Sequence, residues 1–555
     1  MRQSCGVVAQ SEAAKVIIKD KKIAKRAPMT CHVTAELRRP IHLHDNRKYV
    51  HSANTGGRPD LVRFIRKQDS THMLVSRLLS AAHCYVVASL LLLLGATPAS
   101  SGEISVDING ASFVNYGLVG VGRVPASLRN NGETFGSGSG MVFDGSSWKR
   151  TAGGYKGILF LLPDRGYNGK GTVVDYQARI NRLAITFTPV APDRVLPANK
   201  AQQSVQIALG RPIFLRDGRG QPFTSLDATR VRKGTPDLPQ AANGRISIDP
   251  EGIARARNGT FYVSEEYGPY VYTFSPDGRL RGVTAPPDAF IPLRNGRKNF
   301  SAEDPDPNTG RVNNRGLEGL SLTPDGKYLV AVLQSPTIQD GGKTSRYTRA
   351  LVYEVTKSGG LRLVREHAIE LPEYTEEGHK GVAAQSEILA LSDSLLLMLC
   401  RDGKRGYGTG QQPSLYRKVG IIDLSQARPL AKDYGRPDRP ISPGGKLEKD
   451  IAVAKFIPFI DLNDEGELRR FGLHNDGDPD CNMLSEKWES LGLVGVLDPN
   501  RPDDFFLFVG NDNDFITQYG HQAGKDYRDR SGVEVDTMLL VFHVRLPGLR
   551  GVSPG

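Results

Sequence analysis

Cysteine is scarce: of five in 555 residues, only Cys400 and Cys481 fall after residue 99. That excludes a disulfide-dense scaffold and a cysteine-built zinc site for most of the chain. Equally absent are a G-x-S-x-G nucleophile elbow, an H-E-x-x-H zinc helix and a G-x-x-x-x-G-K-[ST] phosphate loop. The sequence therefore offers none of these common hydrolase or nucleotide-binding signatures. The run Gly406-Tyr407-Gly408-Thr409-Gly410 is rich in glycine but lacks the strand-to-helix setting of a phosphate cradle. His379 and His474 are the histidines best exposed to act as bases. Neither falls at a repeated position, and both read as ordinary surface residues.

Charge of one sign is also missing from the body of the chain. The formal charge is +12, but residues 1–72 hold 15 Lys/Arg against 6 Asp/Glu. Residues 73–99 add only Arg77, which leaves 56 basic and 54 acidic residues from Ser100 onward. A nearly neutral body gives no ground for a nucleic-acid partner.

Long apolar runs are absent with one exception. Met73–Ala99 has a Met, a single Arg, an apolar run from Leu78 to Leu94 and a small-residue exit at Thr97-Pro98-Ala99. This is the layout of a secretory signal peptide. Because it lies 72 residues into the chain, Met73 reads as the true start. Residues 1–72 then read as a disordered basic extension or an over-extended gene model. A signal anchor with a basic cytoplasmic tail is the alternative, since about 17 apolar residues is at the lower limit for spanning. Either way residues 100–555 are expected outside the cytosol, secreted and free of the membrane once the leader is cleaved. There the sequons at Asn258 and Asn299 become usable for glycosylation. A Cys400–Cys481 disulfide is possible in that compartment, and two buried thiols are an equal alternative.

What the chain does have is one sentence repeated. NRGLEGLSLTPDGKYLVAVLQSP (Asn314–Pro336) reads as a polar loop, Glu318 entering a short apolar strand, a Pro-Asp-Gly turn and a second apolar strand ending on Gln334 and Ser335. Pro324 pre-sets φ and Gly326 accepts a positive φ, which closes a hairpin. The same pattern recurs at Asp249–Pro269, led by Glu251 and closed by Glu265 and Glu266, and at Gln385–Gly403, led by Glu387 and closed by Arg401 and Asp402. A looser copy spans Lys487–Phe515, led by Glu489 and closed by Asn511-Asp512-Asn513-Asp514. In the first copy, GSGMVFDG and YKGILFLLPDRGYNG, Ser139 takes the leading slot and Asp164 and Arg165 close. The three clearest leading positions are 67 and 69 residues apart. Strand-filled repeats of this period predict an all-β chain, a single β-propeller of six or seven blades.

In a propeller the innermost strands line one axis, so residues repeated at their starts converge there. Glu251, Glu318, Glu387 and Glu489 are expected to meet, together with Asp164, Glu265 and Asp512 from strand ends. Carboxylates so crowded need a counter-charge. A hard divalent cation fits, Ca²⁺ best, because the motifs lack the His and Cys that Zn²⁺ prefers. The bland alternative is that each Glu braces its own hairpin by accepting turn amides. Arg165 and Arg401 are suited to hold a phosphate or carboxylate, or each simply pairs with its neighbouring Asp. Asp304-Pro305-Asp306-Pro307-Asn308 reads as a solvated loop, not a calcium loop.

These pieces, LLPDRGYN, DPEGIA with FYVSEEYGP, NRGLEGLSLTPDGKYL with VLQSP, QSEILAL with LCRDG, KVGIIDL and GNDNDF, resemble the esterase-like activity of phytase family from about Gly136 to Phe515. The resemblance implies a secreted or periplasmic propeller, and a phosphoester or carboxylester hydrolase with a bound divalent cation. Arg165, Arg401 and Glu318 are the expected catalytic side chains, acting on a small anionic or ester substrate. A non-catalytic propeller that binds a ligand or partner and holds Ca²⁺ for stability is the rival expectation.

Overall fold

The Pro-Asp-Gly turn forms as its residues dictate: Gly326 takes φ 72° and its N–H donates to the Thr323 carbonyl at 2.8 Å. The turn joins Leu317–Leu322 to Tyr328–Leu333, and the sheet continues outward through Tyr347–Val355 and Leu361–Glu370. The computed structural model describes residues 103–169 and 172–549. The expected extension 1–72 and leader 73–99 lie outside them.

Four further sheets repeat this order. Blade 1 runs Gly140–Thr151, Gly154–Leu162, Arg179–Phe187, Val205–Leu209; blade 2 runs Pro250–Arg255, Phe261–Glu265, Val271–Phe274, Leu280–Thr284. Blade 3 is the sheet just described. Blade 4 runs Ala384–Ala390, Leu395–Arg401, Arg417–Asp423, Val453–Asp461, and blade 5 runs Lys487–Gly495, Asp504–Asp512, Thr537–Arg545. The outer strands of blade 5 come from the other end of the body, Ala111–Val124 and then Ile104–Ile108. Outer edges of blades 3 and 4 join in parallel, Ala368–Glu370 beside Val453–Lys455.

Each first strand packs on the next, from blade 1 through blade 5 and back to blade 1. The result is a β-propeller of five blades, not six or seven. Among the described residues, the five copies legible in the sequence are all the blades there are. The surplus length goes instead into rim segments, such as the loop holding the Asp288–Phe290 turn and the stretch between Asp423 and Val453.

The five inner strands carry small residues where they touch. A Cβ on Gly140 would lie 2.4 Å from the Glu251 carbonyl, and one on Gly252 would lie 2.6 Å from the Glu318 carbonyl. Between blades the core is apolar. Phe143 meets Phe508 edge-on at 4.9 Å and Phe187 meets Phe506 at 5.0 Å, so blade 1 is bound to blade 5. Each such ring contributes roughly 1.5–3 kcal/mol by burial. Among the described residues no helix is long and apolar enough to cross a membrane.

Candidate functional site

The leading acids sit at irregularities in the inner hairpins. In blade 3, Leu317 pairs with Leu333 but Gly319 pairs with Val332, so Glu318 is an extra residue bulged out of the ladder. In blade 5, Trp488 pairs with Asn511 and Ser490 with Gly510, which leaves Glu489 in the same position. In blade 2 the register slips between Pro250 and Ile253, across Glu251. A β-bulge re-aims the side chain it carries. All three acids turn toward one point: Glu251, Glu318 and Glu489 each bring an oxygen within 4.8 Å of the others'.

Glu387 is the exception. Blade 4 bulges at Ser386 instead, and Glu387 takes a paired place opposite Leu399. Its Oε1 accepts the N–H of Leu320 at 3.0 Å and of Ile388 at 2.8 Å, and it braces blade 3 against blade 4. Here the bracing alternative describes the geometry. Glu265 also departs from expectation: its two oxygens accept the N–H groups of Tyr267, Gly268 and Tyr270 at 2.8, 2.6 and 3.0 Å. Its neighbour Glu266 joins the site instead, within 4.8 Å of Asp249 and Glu251 oxygens. Neither Asp249 nor Glu266 leads a repeat: Asp249 stands two residues before Glu251, and Glu266 closes the copy beside Glu265, from which it differs because successive residues on a strand face opposite sides.

A third group, Asp164, Asp512 and Asp514, converges under the same criterion. Its counter-charge is in the chain. Lys487 Nζ lies 3.0 Å from Asp512 Oδ2, 3.0 Å from Asp514 Oδ1, 3.3 Å from Glu489 Oε2 and 3.8 Å from Asp164 Oδ2. Burial opposes the lysine's charge, but these acids outweigh it and hold its pKa well above the usual range. Ser139, the non-acidic member of the repeat, donates to Asp512 Oδ2 at 2.9 Å. The asparagines of Asn511–Asp514 are structural: Asn511 Nδ2 donates to Ser485 Oγ and Asn513 Nδ2 to the Val535 carbonyl.

Lys487 reaches the group around Glu251 only through Glu489, at 3.3 Å. Burial, then Glu318 and Asp249, push the Glu251 pKa well above the carboxylate range, and burial, then Glu266 and Glu489, do the same for Glu318. Glu266 and Glu489 are pushed up to about 7, by burial first. Glu318 Oε1 is fixed by Gln334 Nε2 at 2.8 Å, while Glu318 Oε2 and Glu266 Oε2 are buried without a hydrogen-bond partner. Such atoms are costly unless something satisfies them. An all-oxygen donor set with two unsatisfied carboxylate oxygens fits a hard divalent cation.

Arg165 and Arg401 both stand here, and both are engaged. Arg165 donates its backbone N–H to Asp249 Oδ1 at 3.2 Å, and its Nε lies 3.5 Å from Asp249 Oδ2. Arg401 Nη2 binds Glu489 Oε1, and its Nη1 lies 3.8 Å from Glu486 and donates to the Asp402 carbonyl at 3.2 Å. Asp402 itself anchors a loop, accepting from Ser414 Oγ and the Leu415 N–H. Away from the channel, Cys400 is a buried, free thiol, so the Cys400–Cys481 bridge does not form: Cys400 lies inside the sheet core of blade 4. Asn258 is exposed on a turn, whereas the Asn299 side-chain amide donates to Asp304 Oδ2.

These features define an acid-mouthed β-propeller. Residues 134–515 match the family model described as Phytase-like, esterase-like activity of phytase. The chain belongs to that family. An "uncharacterized secreted protein" of Arthroderma benhamiae is 37% identical over 452 residues, spanning 73% of this chain and 88% of that protein. Among solved structures, the Malassezia sympodialis allergen Mala s 1 is 10% identical, with 76% of this chain and 95% of that one covered and a TM-score of 0.27. The PQQ-bound aldose sugar dehydrogenase of Streptomyces coelicolor is 12% identical over 80% and 88%, with a TM-score of 0.25. At these scores neither structural likeness bears on the chemistry.

Proposed function

We propose that the chain is an extracytosolic, metal-dependent ester hydrolase acting on a small phosphoester, phytate-like, or carboxylester substrate. One observation carries the reading: acids from three blades meet at a single point with buried carboxylate oxygens left unsatisfied. Asp249, Glu251, Glu266 and Glu318 would hold a divalent cation, with Ca²⁺ the best match to an all-oxygen set. When bound, it supplies Lewis acidity, drawing charge from an ester oxygen and lowering the pKa of water. Around it, Gln334 orients Glu318, while Arg401 and Lys487 hold Glu489 in place. Secretion is supported by the leader-like Met73–Ala99 and by the secreted Arthroderma relative.

The test is hydrolysis of phytate and of p-nitrophenyl esters by the full chain with Ca²⁺ or with EDTA. Turnover should need the cation and fall at least tenfold in Glu318→Gln. Turnover indifferent to both rules the mechanism out. A second reading, a binding propeller with a structural Ca²⁺, is favoured by the setting of Ser139, whose hydroxyl donates to a carboxylate already neutralised by Lys487 and has no imidazole base. Under it, EDTA lowers the melting temperature while no ester is turned over.

A further inference from the structure

The cations expected to grip an anionic substrate are spent on the protein's own acids. Arg165 is engaged by Asp249, Arg401 by Glu489 and Lys487 by three aspartates and Glu489. Arg311, deeper in the same wall, gives its guanidinium to the carbonyls of Tyr267 and Phe300 and to Asn313. Arg315 differs. Its side chain makes no hydrogen bond, ion pair or ring contact with any described residue, although it is partly buried.

Its place is fixed by its backbone. The Arg315 N–H closes a tight turn onto the Val312 carbonyl at 3.1 Å. The next residue, Gly316, donates its N–H to Glu266 Oε1 at 2.9 Å and has no room for a Cβ, which would lie 2.4 Å from Glu266 Cα. Three residues on is Glu318. Arg315 thus leads directly into the two acids whose second oxygens are unsatisfied; burial first, then Arg401, bring its pKa below the usual guanidinium range, against the pull of Glu266 and Glu318. A guanidinium in this position lacks the hydrogen-bond acceptors that its planar fork matches in pairs.

We infer that Arg315 is the anion-binding residue of this channel, taking the phosphate or carboxylate group of a ligand seated beside the acid cluster. The inference rests on the hydrolase reading for its kinetics, but not for its binding. An unpaired guanidinium next to carboxylates that await a cation would place an anion between two positive centres. Arg165 and Arg401 become positioning residues, which hold Asp249 and Glu489 in place.

The probe is inorganic phosphate, titrated calorimetrically into the full chain at constant, low Ca²⁺. Arg315→Met keeps the apolar stem and should weaken phosphate binding about ten- to a hundredfold. Ca²⁺ affinity should stay level or tighten, since a nearby positive charge is gone. Arg315→Lys keeps the charge without the fork and should fall between. In kinetics, KM for p-nitrophenyl phosphate should rise in Arg315→Met by a larger factor than kcat falls, and by a larger factor than KM for neutral p-nitrophenyl acetate. Phosphate that fails to bind the unaltered chain, or binds Arg315→Met equally well, overturns the inference. So does weaker Ca²⁺ binding in Arg315→Met, the mark of a merely structural role. Weakened phosphate binding without any ester turnover would leave Arg315 standing and remove the hydrolase. Turnover that depends on Glu318 but ignores Arg315 would do the reverse.

Discussion

Two sides of one channel mouth are built from the same kind of side chain and balanced differently. On one side Asp164, Asp512 and Asp514 surround Lys487, which reaches four carboxylates within 3.8 Å. With that lysine in place Asp512 is held below the usual carboxylate range, against the burial that opposes it, while burial still lifts Asp164 and Asp514. On the other side Asp249, Glu251, Glu266 and Glu318 have arginines only at their edge, Arg165 on Asp249 with Arg401 and Arg315 acting on Glu318, and burial lifts every one of the four acids. Under the proposed reading, the same chemistry is inert where the counter-ion is covalently part of the chain and available where the counter-ion would come from solution.

The largest effect should come from erasing that difference. Lys487→Met leaves three carboxylates without their cation and should cost about 3–5 kcal/mol, the range for breaking a buried ion pair, measured by urea unfolding. Added Ca²⁺ should restore more of this stability than it gives the unaltered protein. No loss and no new Ca²⁺ response would mean that the lysine is not what separates the two sides.

Next in size is removal of the cation. At a hundredfold excess over its Kd, Ca²⁺ should add about 2.7 kcal/mol of stability. EDTA should abolish this gain, and Glu251→Gln or Glu318→Gln should blunt it, as read from melting curves.

The pH dependence is the third test. Glu266 and Glu489 titrate at about 7 when folded and near 4.5 when unfolded, so the folded chain binds protons more tightly across that window. Stability of the cation-free protein should therefore fall as pH rises from 4.5 to 7, by up to about 1.4 kcal/mol per pH unit for each proton. Saturating Ca²⁺, which favours the ionised forms, should flatten or reverse that slope. A cation-free protein that gains stability over the same window would contradict the raised pKa values.

Glu387→Gln should have the smallest effect. It should cost about 1 kcal/mol through the Leu320 and Ile388 amides and leave the Ca²⁺ response intact. An equal loss of Ca²⁺ response in Glu387→Gln and Glu318→Gln would put Glu387 back among the ligands.

Much of this architecture could be read from the residues, because a hairpin and its leading acid recur five times with Ser139 as the one substitution. The blade count could not. Two thirds of each repeat is outer strand and rim loop without a shared pattern, and that surplus reads as extra blades. Glu318 and Glu387 look alike in sequence, yet a bulge displaced by one residue sends one into the channel and the other into a backbone amide. A clue existed. Glu251 and Glu318 are followed by Gly and Glu489 by Ser, whereas Glu387 is followed by Ile388. Lys487 carries no periodic mark, since only one blade has it. Glu265 and Glu266 are the same residue type side by side, so composition cannot say which one faces the axis.

The last blade is completed by Ala111–Val124, laid beside Thr537–Arg545. A ribosome must therefore release almost the entire polypeptide before the circle can be fastened. Trimming up to Ile104 spares that clasp, while a cut beyond Val124 leaves Thr537–Arg545 as a raw, sticky border open to another molecule's strand.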